Sequence, residues 1–270
     1  MNDFYKKAKK RIALAISRNR KCIILKGINK LCKKYVKIYE NNNNDLLTNG
    51  ESFLLGMLRN QDRLVVFDVG ANVGKWTLLA QQYLPTSMIF SFEPVPSTFE
   101  KLFENCKGKK NITCNLLGLS NINGRVEIIE DINNSLYSSS IYNRHHHSIK
   151  KNECTMRMGD SYCTDNMIER INVLKIDVEG AEPKVLEGFH GMLSKGKIDM
   201  IQFEYSSINI QTGFLLKDFY KLLEEYGYRI GKLYPNYIDF RNYDYSMEDF
   251  IGLNYVAVHR YNKLGLSVFF

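Results

Sequence analysis

The six cysteines, at positions 22, 32, 106, 114, 154 and 163, form no C-x-x-C pair, which argues against a zinc ribbon or a dithiol redox centre. Without such spacing they read as reduced thiols of a cytosolic protein. No apolar run approaches the roughly 20 residues that span a bilayer. The opening "MNDFYKKAKKRIALAISRNRK" has only a short apolar patch followed by more charge, a poor secretory signal. No internal repeat is visible. The histidines of "RHHHS", His145 to His147, have no i, i+4 partner on a helix, so a zinc site is not indicated there. One of them within reach of an acceptor remains an alternative as a base, and His190 falls in a helix and reads as structural.

What is present suits a folded α/β chain. With 270 residues, 44% of them hydrophobic, it can bury a full core, as one α/β domain with an accessory segment. The net charge of +8 is unevenly placed: Met1 to Glu40 carries 13 Lys or Arg against two acids, and the remainder carries 24 against 27. In the basic segment Ile24, Ile28, Leu31, Tyr35 and Ile38 recur at helical spacing between lysines. That pattern fits a packed helix with solvated lysines, a peripheral contact with an anionic membrane, or, as the weakest of the three, nucleic acid. The run "NNNND" then marks a boundary near residue 45, giving a basic helical extension over 1–45 and a main domain over 46–270.

From there strand and helix patterns alternate. Strands are expected at 64–69, 87–92, 111–117, 172–178, 198–204, 228–234 and 254–260, with a hairpin-like stretch at 124–130. Helices are expected at 73–83, 96–107, 183–195 and 215–226. Such alternation gives a mostly parallel sheet with helices on both faces, and ligands bind beyond the carboxyl ends of its strands, at the switch point.

The first strand and its turn, "VVFDVGANVGKWT", supply the chemistry. The turn reads D-x-G-x-x-x-G, from Asp68 through Gly70 to Gly74, and lacks the G-x-G-x-x-G spacing that lets a pyrophosphate approach the backbone. A ligand with an amino acid and a nucleoside but no phosphate suits it better, and S-adenosylmethionine is that ligand. The second strand ends "FSFEP", placing Glu93 where a carboxylate would accept hydrogen bonds from both ribose hydroxyls. The bland alternative makes Asp68 a helix N-cap and Glu93 an ordinary surface acid.

The third block is "INVLKIDVEGAEPKVLEGFHGML", a buried strand ending in acids and entering a helix through Pro183. With "VVFDVGANVG", "FSFEPVPSTFEKL" and "VLKIDVEGAEPKVLEGF" in this order, the chain resembles the FkbM family of S-adenosylmethionine-dependent methyltransferases, over about residues 62–206. The resemblance implies a class I methyltransferase-like, Rossmann-like fold with a seven-stranded, mostly parallel sheet. It also implies methyl transfer to a hydroxyl oxygen, often on a sugar, polyketide or other glycan-related acceptor. Carried over, Asp68, Gly70, Asn72 and Gly74 would line the methionine end of the cofactor, Glu93 would hold the ribose, and Leu119 and Ser120 would wall the adenine. Where many relatives show "LD" before a short helix, this chain reads "MGDSYC", so Asp160 inherits no firm role.

Methyl transfer from a sulfonium is a direct displacement, and positioning the acceptor oxygen in line can supply about 7–11 kcal/mol. A base at the mouth adds about 10²- to 10⁴-fold. Asp177, Glu179 and Glu204 are the candidates, with a divalent cation on the same carboxylates as an alternative use and loop-fixing as the bland one. "SLYSSS", Ser135 to Ser140, is a polar loop or a lid. The tyrosines of Asn236 to Phe250 either stack on sugar faces or close the sheet's edge, and "YPNY" departs from the N-P-P-Y pattern of base-amino methylation. The expectation is a cytoplasmic O-methyltransferase of a carbohydrate or glycolipid-like acceptor, peripheral to the membrane through residues 1–40. An RNA methyltransferase with a basic arm and a non-catalytic cofactor-binding module are the alternatives.

Overall fold

The structure, a computed structural model, describes residues 2–131, 139–140 and 149–266. The serines at 135–138 and His145 to His147 lie outside the described residues. Two compact units divide at Asn42 and Asn43. The first holds helices α1 (Asn2–Arg18) and α2 (Ile23–Tyr39).

The second is built on a sheet of strands β1 (Val65–Val69), β2 (Met88–Phe92), β3 (Ile112–Asn115), β8 (Ile171–Ile176), β9 (Ile198–Glu204), β10 (Tyr228–Tyr234), β11 (Tyr237–Phe240) and β12 (Asn254–His259). Their spatial order is β11-β10-β12-β9-β8-β1-β2-β3. The five strands from β3 to β9 are parallel, and β12 enters antiparallel between β9 and β10. Without β11 this is the seven-stranded order of class I methyltransferases. The eighth strand is a correction to that expectation: Pro235 and Asn236 turn the chain, and Tyr234 pairs with Tyr237, their rings stacked with centroids 4.8 Å apart. The tyrosine-rich segment thus begins as the strand that closes this edge.

One face of the sheet is covered by α3 (Glu51–Leu58) and α4 (Lys75–Tyr83), which bury Leu54, Leu55, Leu58, Trp76 and Leu79 against Val66, Val173 and Val256. The other carries α6 (Gly159–Asp165), α7 (Glu182–Gly188), α8 (His190–Ser194) and α9 (Leu216–Glu225), over a cluster in which Phe67, Phe92, Tyr162 and Phe189 meet. The runs "VVF" and "VLKI" are nearly all buried because both faces of a parallel sheet are covered. Helix α5 (Pro96–Cys106) returns the chain from β2 to β3 and packs Leu102 beside Ala71.

The helix expected over 183–195 is two helices broken at Phe189. A Cβ on Gly188 would lie 2.0 Å from the Ser120 carbonyl oxygen, so the chain passes too close there for any other residue. The second helix is capped by Asp160, whose two carboxylate oxygens accept from the amides of Gly191 and Met192 at 2.6 and 2.9 Å. This gives the unassigned acid of "MGDSYC" a structural task. His190 pairs its Nδ1 with the Tyr226 hydroxyl at 2.7 Å.

A second, four-stranded sheet, ordered β4-β7-β5-β6, stands beside the first. It comprises β4 (Gly118–Ser120), β5 (Gly124–Asp131), β6 (Ser139–Ser140) and β7 (Ile149–Met158). The hairpin-like stretch is therefore paired, antiparallel, with a ten-residue strand that is not among the strands expected from the sequence. Its signal was the alternation of Cys154, Met156 and Met158.

Candidate active site

The strand order reverses about β1, whose neighbours are β2 and β8, and a crevice opens beyond the ends of these three strands. The first turn is pinned from both sides. The amides of Gly70 and Ala71 donate to the Phe92 carbonyl at 3.0 and 2.9 Å, and the amide of Asp177 donates to the Val69 carbonyl at 3.0 Å. Gly70 has φ +82°, and a Cβ there would stand 1.9 Å from the Asp177 carbonyl oxygen. Only glycine passes at that distance in that conformation. Gly74, with φ +84°, begins α4, and Asn72 has φ 49°.

The crevice contains a cavity of about 310 Å³ lined by Gly70, Asn72, Trp76, Glu93, Leu119, Lys175, Asp177 and Glu179 among others. Ile128 and Met156 of the second sheet and Asn44 and Leu46 of the loop before α3 complete its wall. Asp68, Gly74, Ser120 and Glu204 are not among the lining residues. Ser120 is buried with its hydroxyl on Asn121 at 3.3 Å.

Glu93 is 6% exposed and spans two pieces of backbone: Oε2 accepts from the Asn72 amide at 3.1 Å and Oε1 from the Val95 amide at 2.9 Å. Burial pushes its carboxyl from the usual 4.5 up to about 7, against the pull of those two amides. If the ionised form is what a ribose requires, affinity for S-adenosylhomocysteine should weaken about tenfold between pH 8 and pH 6, because protonation through pH 7 removes the charged acceptor. Calorimetry at several pH values checks this. The sign for stability is opposite: a raised carboxyl favours the folded protein at low pH, and that contribution fades as pH climbs from 4.5 to about 7.

Asp68 is fully buried. Its Oδ2 accepts from the Thr77 hydroxyl at 2.6 Å, which ties α4 to β1, and its Oδ1 lies 3.5 Å from Lys175 Nζ. It therefore braces the first turn of the helix from within the core. Lys175 is 4% exposed, donates to Asp177 Oδ2 at 3.0 Å and lies 5.6 Å from the centre of the Trp76 ring. Sequence reading passed over this lysine, although a cation inside an otherwise apolar strand is a signal in itself. Burial alone would lower its pKa, but Asp177, Asp68 and Glu51 together outweigh burial and raise it.

Asp177 is half-exposed at the cavity, and Glu204 stands behind it at the end of β9. Burial would raise Asp177, but Lys175 prevails and holds it below its ordinary value. Burial and then the charges of Asp177, Glu179 and Glu182 push Glu204 well up. Glu179, in left-handed conformation at φ 55°, lines the cavity on the turn after β8. That turn is fixed by an acid the sequence did not single out, Glu182. Its Oε1 accepts from the amides of Val178 and Gly180 at 3.1 and 3.2 Å, and burial raises its carboxyl to about 7. Among the described residues no group of three or more His, Cys, Asp or Glu is placed to hold a metal ion.

A sheet in this order, with a glycine turn and an acid ending each of the first two strands, defines a class I methyltransferase. The family model described as "Methyltransferase FkbM domain" matches residues 68–230, and the chain belongs to that family of methyltransferases. Among curated proteins it is 28% identical to Methyltransferase sdnD of Sordaria araneosa, over 57% of this chain and 71% of the relative. It is 29% identical to Hexuronic acid methyltransferase AglP of Haloferax volcanii, over 60% and 62%. With 2-O-methyltransferase NoeI of Sinorhizobium fredii it shares 24% identity over 55% and 66%. The aligned part is thus under two thirds of the length of the latter two proteins. A solved structure, the precorrin-6y C5,15-methyltransferase of Geobacter metallireducens, matches 80% of this chain and 90% of its own at a TM-score of 0.42 and 16% identity.

Proposed function

We propose that this S-adenosylmethionine-dependent methyltransferase moves the methyl group to a hydroxyl oxygen of a carbohydrate or carbohydrate-linked acceptor. The observation that carries the proposal is the Asp177 carboxylate. It lies at the wall of the cavity formed by the first turn, is kept ionised by Lys175 and is backed by Glu204. The site's residues fit the cofactor. Trp76 Nε1 is a buried donor without a protein acceptor among the described residues, and Glu93 supplies a carboxylate. In this reading Gly70, Asn72 and the Lys75 end of α4 take the methionine part, Glu93 the ribose, and Leu119, Ile128 and Met156 the base. Asp68 and Gly74 act beneath them by holding the turn.

The cofactor supplies an electrophilic methyl on a positive sulfur. The chain's residues fix the acceptor hydroxyl in line with that methyl, exclude water and receive the proton. Asp177 receives it, Glu204 stands behind it, and Glu179 closes the rim. The acceptor class is supported by the relatives named for a hexuronic acid and for 2-O transfer. Free thiols at all six cysteines accord with a cytoplasmic site of action.

Incubation with radiolabelled S-adenosylmethionine and a panel of neutral and uronic-acid glycans tests the proposal. Label should enter the glycan as a base-stable ether. Base-labile label would mean a carboxylate acceptor, and label confined to RNA would mean a different substrate class.

A further inference from the structure

Helix α2, in the first unit, contributes none of the residues that line the cavity, and it buries none of its own. Its side chains are sorted by character. At 100° per residue, Ile24, Ile28, Leu31, Tyr35 and Ile38 fall within an arc of about 80°. Lys26, Lys30, Lys33, Lys34 and Lys37 fall within about 100° on the other side. The apolar row is in water: Ile24 is 69% exposed, Leu31 68% and Ile38 69%. At its carboxyl end Tyr35 and Tyr39 stack with ring centroids 5.9 Å apart.

We infer that α2 is an interfacial helix that lies in the surface of an anionic bilayer. The apolar row enters the boundary of the acyl chains while the lysines lie among the headgroups. The two tyrosines sit at headgroup depth, where amphipathic rings are favoured. Charge complementarity selects this occupant. Met1 to Glu40 carries 13 bases against two acids, and the rest of the chain is slightly acidic, with 24 against 27. Each lysine near an anionic surface adds to the attraction, within a Debye length. Nucleic acid would neutralise the lysines and leave the apolar row wet. A second copy would cover that row but bring two such basic segments together. No described helix is long and apolar enough to cross the membrane, so α2 lies on it.

The test is flotation of the full chain with vesicles of phosphatidylcholine alone or with roughly one third phosphatidylglycerol. Partition should be at least about tenfold tighter onto the anionic vesicles. It should be lost in Ile28→Ser/Leu31→Ser, and its lipid preference should vanish in Lys33→Gln/Lys34→Gln/Lys37→Gln. All five positions lie outside the cavity, so affinity for S-adenosylhomocysteine should be unchanged in both variants and serves as the check on folding. Equal partition onto both vesicles, or full partition by Ile28→Ser/Leu31→Ser, overturns the inference. So does lipid-free self-association that the serine variant abolishes, which assigns the row to a second copy. Salt-sensitive RNA binding that the serine variant retains, without vesicle binding, overturns it in favour of nucleic acid. The readout is lipid partition, so it stands apart from the methyl-transfer proposal.

Discussion

Replacing Lys175 by methionine is expected to lower the unfolding free energy by about 3–5 kcal/mol, the cost of removing one partner from a buried ion pair. Methionine nearly matches the volume, so the loss is electrostatic. Lys175 Nζ stands between Asp68 Oδ1 at 3.5 Å and Asp177 Oδ2 at 3.0 Å, and Asp68 is fully buried. Without the ammonium, Asp68 keeps only the Thr77 hydroxyl and must either hold an uncompensated charge or take up a proton. Burial already raises the Asp68 carboxyl, with Lys175 as the main opposing influence, so the variant should raise it further. The destabilisation should therefore be smaller at low pH and grow as pH rises, because the unfolded carboxyl ionises first. Lys175→Met/Asp68→Asn should recover part of the loss. Urea unfolding across pH measures all three proteins. A Lys175→Met protein as stable as wild type would show that the pair contributes nothing.

Asp177→Asn should reduce kcat by about 10²- to 10⁴-fold, the range of a lost general base. Affinity for S-adenosylhomocysteine should stay within about twofold, since an interaction used only in the transition state affects kcat. Asparagine preserves the shape and can still meet Lys175 through its carbonyl oxygen, and the backbone contact between Asp177 and Gly70 is untouched. Glu204→Gln should behave differently. In the wild type the Glu204 carboxyl is raised by burial and then by the charge of Asp177. Its ionisation as pH rises strengthens the pair as a base and gives kcat a rising limb. Glutamine cannot ionise, so that limb should disappear while residual turnover persists at low pH. Pre-steady-state methyl transfer across pH measures it. An unchanged profile in Glu204→Gln would remove Glu204 from the chemistry.

Much of this site is legible in sequence because its parts are local. The run "VVFDVGANVG" encodes a buried strand, a turn and a helix start within ten residues, and "FSFEP" encodes the end of the next strand. Both turned out to border one crevice, and Glu93 and Gly70 line the cavity. What escaped is tertiary. Lys175 reads as a break in an apolar strand, and only the pairing of β1 with β8 brings Asp68 opposite it. Glu51 is likewise distant in sequence from its partner: it is buried on α3 and accepts from Gln202 Nε2 at 2.6 Å, 151 residues away. Strand β7 reads as polar because its exposed positions carry lysine, glutamate and threonine, yet Met156 supplies part of the cavity wall. The eighth strand depends on a two-residue turn at "PN", whose hairpin character appears only with Tyr234 and Tyr237 paired.

The most direct measurement is isothermal calorimetry of S-adenosylhomocysteine against the wild type and Glu93→Ala. Micromolar binding that falls tenfold or more in the variant is the predicted result, since losing a hydrogen bond to a charged group costs about 1.5–3 kcal/mol. No binding to wild-type protein shown to be folded would contradict the account of the crevice, and equal binding by both proteins would remove Glu93 from it.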